Sequence, residues 1–179
     1  ADISHPPQIR KKAEKYSNIH LITADITGAA FPVYQVIKAH KSKSDFAQIK
    51  EILQHADSFS DFKLPEPDYC VSLNLLSQIP IFITDFIKKK TYWSDNQIRE
   101  LSQIIQKRHL EILPKNKSCI ITDYEELCIG KKGGEHKKVT ADIQFPQNKN
   151  SEEWLWHFDL SGNYRNCKKV FLKVKAVKF

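Results

Sequence analysis

The sequence predicts an α/β domain of three layers, with a mostly parallel sheet finished by an antiparallel hairpin. Three observations lead there. Helical and extended segments alternate along most of the 179 residues, which is the order that builds parallel strands with helices on both faces. NIHLITAD, residues 18–25, becomes apolar on both faces, as a strand covered on both sides does. The last two extended segments, EEWLWHFDL and KKVFLKVKAVKF, are separated by SGNYRN and read as an antiparallel pair joined by a loop.

In chain order, residues 4–16 predict a helix with Ser4 as N-cap, Pro6 and Pro7 in the first turn, and Ile9, Ala13 and Tyr16 on one face. Residues 18–25 predict a strand. Residues 26–67 are longer than one crossover helix requires, which predicts an insertion; within them Phe46, Ile49 and Ile52 recur at helical spacing. LPEPDY holds two prolines that favour an extended approach to a buried strand at 69–75. Residues 77–90 read as a loop passing into a short helix.

YWSDNQIRELSQIIQKRHLEIL carries the clearest local signal. Ser94 and Gln97 form a capping box, Trp93 and Ile98 suit a hydrophobic staple, and Ile98, Leu101, Ile105 and Ile112 make an apolar stripe. SCIITDYEEL follows as a strand ending in acidic residues, and GKKGGEHKK interrupts it as a mobile basic loop. That loop has no GK[ST] ending and opens no apolar helix, which argues against a P-loop. VTADIQF is a further extended segment.

An apolar fraction of 41% beside a charged fraction of 27% places the chain among folded proteins. Its length predicts a single domain over 1–179. The longest apolar run, 79–87, is interrupted by Pro80, Thr84 and Asp85, which argues against a membrane span. Cys70, Cys119, Cys128 and Cys167 form no CxxC pair, so a zinc or redox motif is disfavoured; Cys70 and Cys119 read as small buried hydrophobes, and the expected location is cytoplasmic. The net charge of +7 is spread over short groups such as 88–90, 131–132, 137–138 and 168–169. Scattered groups fit a solvated surface better than a nucleic-acid footprint, which stays as the weaker reading. No metal site is expected.

Polar and acidic residues recur at strand ends: Asp2 after a presumed strand, Asp25 after NIHLITA, and Ser72 with Asn74 in DYCVSLN. In open α/β sheets ligands bind outside the carboxyl ends of the strands, so such side chains share one rim. ADIS followed by a helix, HLITADITG, and PDYCVSLNLLSQIP together resemble the second, third and fourth motifs of the class I S-adenosylmethionine-dependent methyltransferases. The terminal hairpin is similar to the one that closes that Rossmann-like fold. The resemblance covers most of the chain, and the order of the motifs carries it.

The resemblance implies S-adenosylmethionine as cofactor and a small-molecule methyl acceptor. It implies Asp2 on the ribose with Ile3 against the adenine, Asp25 on the adenine amine with Ile26 nearby, and Ser72, Asn74 and Leu75 beside the methionine end. Gln78 or Tyr69 could orient a substrate; His20 and His157 could act as bases by chemistry but read better as structural, and no catalytic residue is assigned. Asp2 as a helix cap, Asp25 as a turn residue and Asn74 as a loop residue remain equally open.

Two departures stand beside the matches. The family's first strand and glycine-rich loop are missing, since the five glycines are Gly28, Gly130, Gly133, Gly134 and Gly162. In the family's sheet the strands run third, second, first, fourth, fifth, seventh, sixth, so the missing strand is central and its neighbours would be left with unpaired edges. The chain also holds no methionine. It is therefore expected to be an amino-terminally incomplete piece of a methyltransferase, with a catalytically inactive methyltransferase-like binding module as the alternative.

Overall fold

The computed structural model describes residues 5–40, 44–55, 67–147, 150–164 and 167–179. The chain forms two compact units, Ala1–Leu64 and Pro65–Phe179. In the first, α1 (Pro7–Ala13) opens on Pro7, whose ring supplies the φ a first turn needs, and it buries no residue. Helix α2 (Ala30–His40) buries Val33 and Ile37. Helix α3 (Phe46–His55) buries Ile49 and Leu53, within the span that its apolar spacing predicts.

The expected strand at 18–25 is not formed among the described residues: only Thr23 makes an isolated bridge, while Ile19 and Leu21 are exposed. Apolar patterning reports what a segment could bury, whereas a strand also needs a neighbouring backbone to satisfy its N–H and C=O groups. Here the segment is tied to α1's approach by a His5 Nε2 hydrogen bond to the Ile22 carbonyl at 3.0 Å.

The second unit is a mixed α/β arrangement with a five-stranded sheet among the described residues. Its strands are β1 (Cys70–Leu73), β2 (Ser118–Gly130), β3 (Glu135–Val139), β4 (Ser151–Asp159) and β5 (Cys167–Lys178), in the order β1-β2-β5-β4 with β3 also on β2. The expectation of a mostly parallel sheet is corrected: β1 and β2 are parallel, and the β2–β3, β2–β5 and β4–β5 pairings are antiparallel. Connection length explains the outcome. Two helices lie between β1 and β2, long enough for a crossover, whereas every connection after β2 is too short for one.

GKKGGEHKK is a hairpin turn and strand β3, so the loop reading is corrected as well. Gly130 N–H donates to the Gly134 carbonyl at 2.7 Å and Gly133 N–H to the Gly130 carbonyl at 2.9 Å. Gly133 sits at φ 88, a value that a side chain would strain.

Residues 75–90 form one helix, α4 (Leu75–Lys90), although they hold Pro80. Proline has no N–H to give to the carbonyl four residues back, here that of Leu76. Gln106 on α5 (Asp95–Ile112) fills the gap, with Nε2 donating to the Leu76 carbonyl at 3.0 Å. The same Nε2 donates to the Thr140 carbonyl at 2.9 Å, and Gln106 Oε1 accepts from the Asp142 N–H at 3.1 Å. The capping box at Ser94 and Gln97 starts α5 as its sequence predicts. Against one face of the sheet, Leu76, Leu113, Ile120 and Ala141 form a buried cluster. On the opposite face β1 leaves Val71 56% and Leu73 59% exposed, so the covering expected on both sides is not seen at this edge.

Cys128 and Cys167 are joined by a disulfide between β2 and β5, with Cα atoms 5.6 Å apart; their spacing in the chain gives no hint of it. Disulfides persist in oxidising compartments, so the cytoplasmic expectation gains no support from it. Cys70 and Cys119 are free.

Two outcomes are expected. Thiol titration of the unfolded, unreduced protein should find only Cys70 and Cys119 reactive, rising to all four cysteines after reduction; four at the outset would refute the bridge. Gln106→Leu should lower the urea midpoint without changing the slope, by about 2 kcal/mol, because one buried and two half-buried backbone groups lose their partner.

Candidate functional site

The central feature of the second unit is an irregularity in β2. It pairs with β5 as Asp123↔Val174 and then Glu125↔Lys173, leaving Tyr124 as an extra residue. An extra residue reverses the alternation of side chains beyond it. Asp123 opposite Val174 and Glu126 opposite Leu172 therefore lie on one face, although they are three apart in sequence. The register continues into β4, with Trp154 opposite Val174 and Trp156 opposite Leu172. Carboxylates and tryptophans thus share a face across three strands.

Contacts on both sides hold the bulge. The Tyr124 carbonyl accepts the Thr140 N–H at 2.9 Å and the Ala141 N–H at 3.4 Å, so the segment clamped by Gln106 also fixes the irregular peptide. The Tyr124 hydroxyl donates to Glu153 at 3.1 Å, and its ring meets Phe145 edge to face at 6.3 Å. Burial first, and then the Glu153 hydrogen bond, hold the Tyr124 phenol above its ordinary range. Glu125 pairs with Lys173 at 2.7 Å and Glu153 with Lys175 at 2.8 Å. Arg99 and Gln103 of α5 both donate to Asp142, which keeps that carboxyl below its usual range through the Arg99 hydrogen bond first.

Above this face lies an open cavity of about 670 Å³, within the size range of small-molecule sites. It is bounded by Asn74 at the end of β1, Ser77 and Phe82 on α4, Asp123 and Glu126 on β2, and Trp156 on β4. Asp123 and Glu126 are both buried. The Ser77 hydroxyl donates to Asp123 Oδ1 at 2.6 Å. Trp156 meets Phe158 edge to face at 5.3 Å, and Phe158 meets Tyr164 at 5.0 Å. Asp159 organises the loop that delivers Tyr164 by accepting from Ser161 Oγ at 2.6 Å and from the Tyr164 N–H at 2.6 Å. Those hydrogen bonds, the Ser161 hydroxyl foremost, hold the Asp159 carboxyl low.

The residues expected from the sequence fare differently. Asp2 and Ile3 lie outside the described residues. In the first unit Asp25 Oδ1 accepts from the Thr27 N–H at 2.9 Å and the Thr27 hydroxyl at 2.6 Å, and Oδ2 accepts from the Ala30 N–H at 2.8 Å; it serves a turn and the start of α2. Ile26 is half-buried. In the second unit Ser72 is buried and 2.7 Å from His109 Nε2, away from the cavity. Asn74 turns the chain out of β1 with φ 52, its N–H donating to the Ile121 carbonyl at 2.7 Å. Asn74 and Gln78 border the cavity. Leu75 opens α4, and Tyr69 lies under Lys178 at 5.8 Å from its ring centroid; neither borders the cavity. Ser77, Asp123, Glu126, Trp156 and Phe158 were not expected there. The acidic end of SCIITDYEEL was the available signal, and the bulge is what the sequence does not show.

Among the described residues no group of three His, Cys, Asp or Glu side chains is placed to hold a metal, and no helix is long and apolar enough to cross a membrane. Comparison with protein-family models, curated proteins and solved structures found no match.

Burial lowers the His109 pKa from 6.5 to about 4, and no hydrogen bond reaches its Nδ1 among the described residues. Between those values the unfolded chain binds a proton that the folded chain refuses. Stability from this source is complete above the ordinary pKa and falls as pH drops through the window, by roughly 3 kcal/mol in all. Urea unfolding at stepped pH should show this acid-side loss, and His109→Gln should remove it; an equal slope in the variant would contradict the assignment.

Proposed function

We propose that the chain is a class I, Rossmann-like S-adenosylmethionine-dependent methyltransferase domain acting on a small molecule. The observation that supports this reading is the strand succession β1-β2-β5-β4, with antiparallel β5 inserted between β2 and β4. It is the succession of the family's fourth, fifth, seventh and sixth strands. Asn74 then stands just past the carboxyl end of β1, and Asp123 lies two residues beyond the stretch of β2 that pairs with β1, on the side where open α/β sheets bind ligands.

Asn74 and Ser72 of the second unit, and Asp25 of the first, bear on the cofactor reading, each within its own unit. Asn74 borders the cavity in a turning conformation, which suits the methionine end, whereas Leu75 does not border it and is withdrawn from the proposed set. In the first unit Asp25 has accepted three hydrogen bonds, and a carboxylate offers about four acceptor sites, so one acceptor site remains there. Ser72 is committed to His109 and is withdrawn from the proposed set. Asp2 and Ile3 would serve the ribose and adenine, and Ile26 would pack beside them.

When bound, the cofactor supplies an electrophilic methyl group on a sulfonium. The protein's task is to align the acceptor with it and to receive a proton. Of the carboxylates that line the cavity, Asp123 is the one oriented by Ser77, and it is proposed to receive that proton.

A second reading, a cofactor-free binding module of the same fold, is favoured by the engagement of Ser72 and Asp25 in the protein's own hydrogen bonds. Calorimetry separates the two. S-adenosylhomocysteine titrated into the full-length protein should give saturable binding that Asp2→Ala abolishes. No heat with either protein would leave the binding module standing.

A further inference from the structure

We infer that the cavity of the second unit receives a small organic amine, bound as its ammonium ion with the nitrogen on Asp123 and the carbon body against Trp156 and Phe158. The inference deepens the methyltransferase reading and rests on it in one respect: that the amine is the methyl acceptor.

Asp123 is 8% exposed and borders the cavity. Its Oδ1 takes the Ser77 hydroxyl, and no described residue donates to Oδ2. With one donor on Oδ1 the carboxylate keeps acceptor sites at which a cation entering the cavity would form a charge-assisted hydrogen bond. The cavity is the side from which that partner can come. Lys89 and Lys138 also border the cavity, but both are exposed at its rim and neither pairs with Asp123. The buried end is thus acidic, and the exposed end carries Asp85 beside Lys89 and Lys138.

The remaining wall selects the same chemistry. Trp156, Phe158 and Tyr164 form a chain of edge-to-face contacts, and Phe82 adds a further ring to the lining. Aromatic faces attract cations through the ring quadrupole and bury hydrocarbon as well. An anion would be repelled by the Asp123 carboxylate at the cavity. A neutral alcohol would satisfy Oδ2 but forgo the charge. Under the methyltransferase reading, the ammonium passes one proton to Asp123 Oδ2. The freed nitrogen lone pair could then accept the methyl group that the cofactor would supply, the electron pair of its former C–S bond remaining on sulfur, and Asp123 would return its proton to solvent.

The test uses phenethylamine, phenethyl alcohol and phenylpropanoate as probes, titrated calorimetrically into the full-length protein at neutral pH. The amine should bind about tenfold tighter than the alcohol, and Asp123→Asn should weaken amine binding by about tenfold, as expected for losing a charge-assisted contact. Phe82→Ala, at a side chain 68% exposed, and Trp156→Ala should each weaken it by about threefold while leaving the circular dichroism unchanged; they carry the test if Asp123→Asn does not fold. Equal amine binding by all variants, preference for phenylpropanoate, or no amine binding overturns the inference. The S-adenosylhomocysteine titration is separate, so amine binding without cofactor binding removes only the methyltransferase reading. Cofactor binding without amine binding removes only this one.

Discussion

The extra residue in β2 is the constraint on which the arrangement of the second unit depends. A strand's side chains alternate, so Asp123 and Glu126 would face opposite sides of a regular sheet. With Tyr124 bulged they face the same side, in register with Leu172, Val174 and the tryptophans of β4. Such an irregularity costs ladder hydrogen bonds and persists only when its surroundings hold it. Here Thr140 and Ala141 return two N–H groups to the bulged carbonyl, and Gln106 fixes that segment to α4 and α5.

This links helix packing to the cavity through a short series of named bonds. Pro80 leaves the Leu76 carbonyl without its helical partner, and Gln106 supplies one while reaching Thr140 and Asp142. The same stretch of α4 presents Ser77 to Asp123. A proline in the first turns of α4 is thus accommodated by a buried amide that also positions the bulge, and the bulge brings Glu126 to the face that holds Asp123.

Much of the fold is legible in the sequence where the signal is local. Ser94 and Gln97 announce α5, Phe46, Ile49 and Ile52 announce α3, and SGNYRN between two extended runs announces the β4–β5 pair. What is not legible depends on partners distant in the chain. Residues 18–25 look like a strand but form only one bridge, and α4 continues through Pro80 because Gln106, far along the chain, fills the gap. Asn74 and Gln78 were readable as site residues because they follow a strand end. Asp123 and Glu126 were not, because spacing alone assigns them to opposite faces. The Cys128–Cys167 bridge is a consequence of β5 lying beside β2, which no local pattern reveals.

The register of β2 against β5 is the point on which this account can be tested most directly. Cross-strand nuclear Overhauser contacts between backbone protons report it residue by residue. Asp123 should pair with Val174, Glu125 with Lys173 and Glu126 with Leu172. An unbroken ladder that sets Glu125 opposite Leu172 would turn Glu126 to the other face and contradict the account.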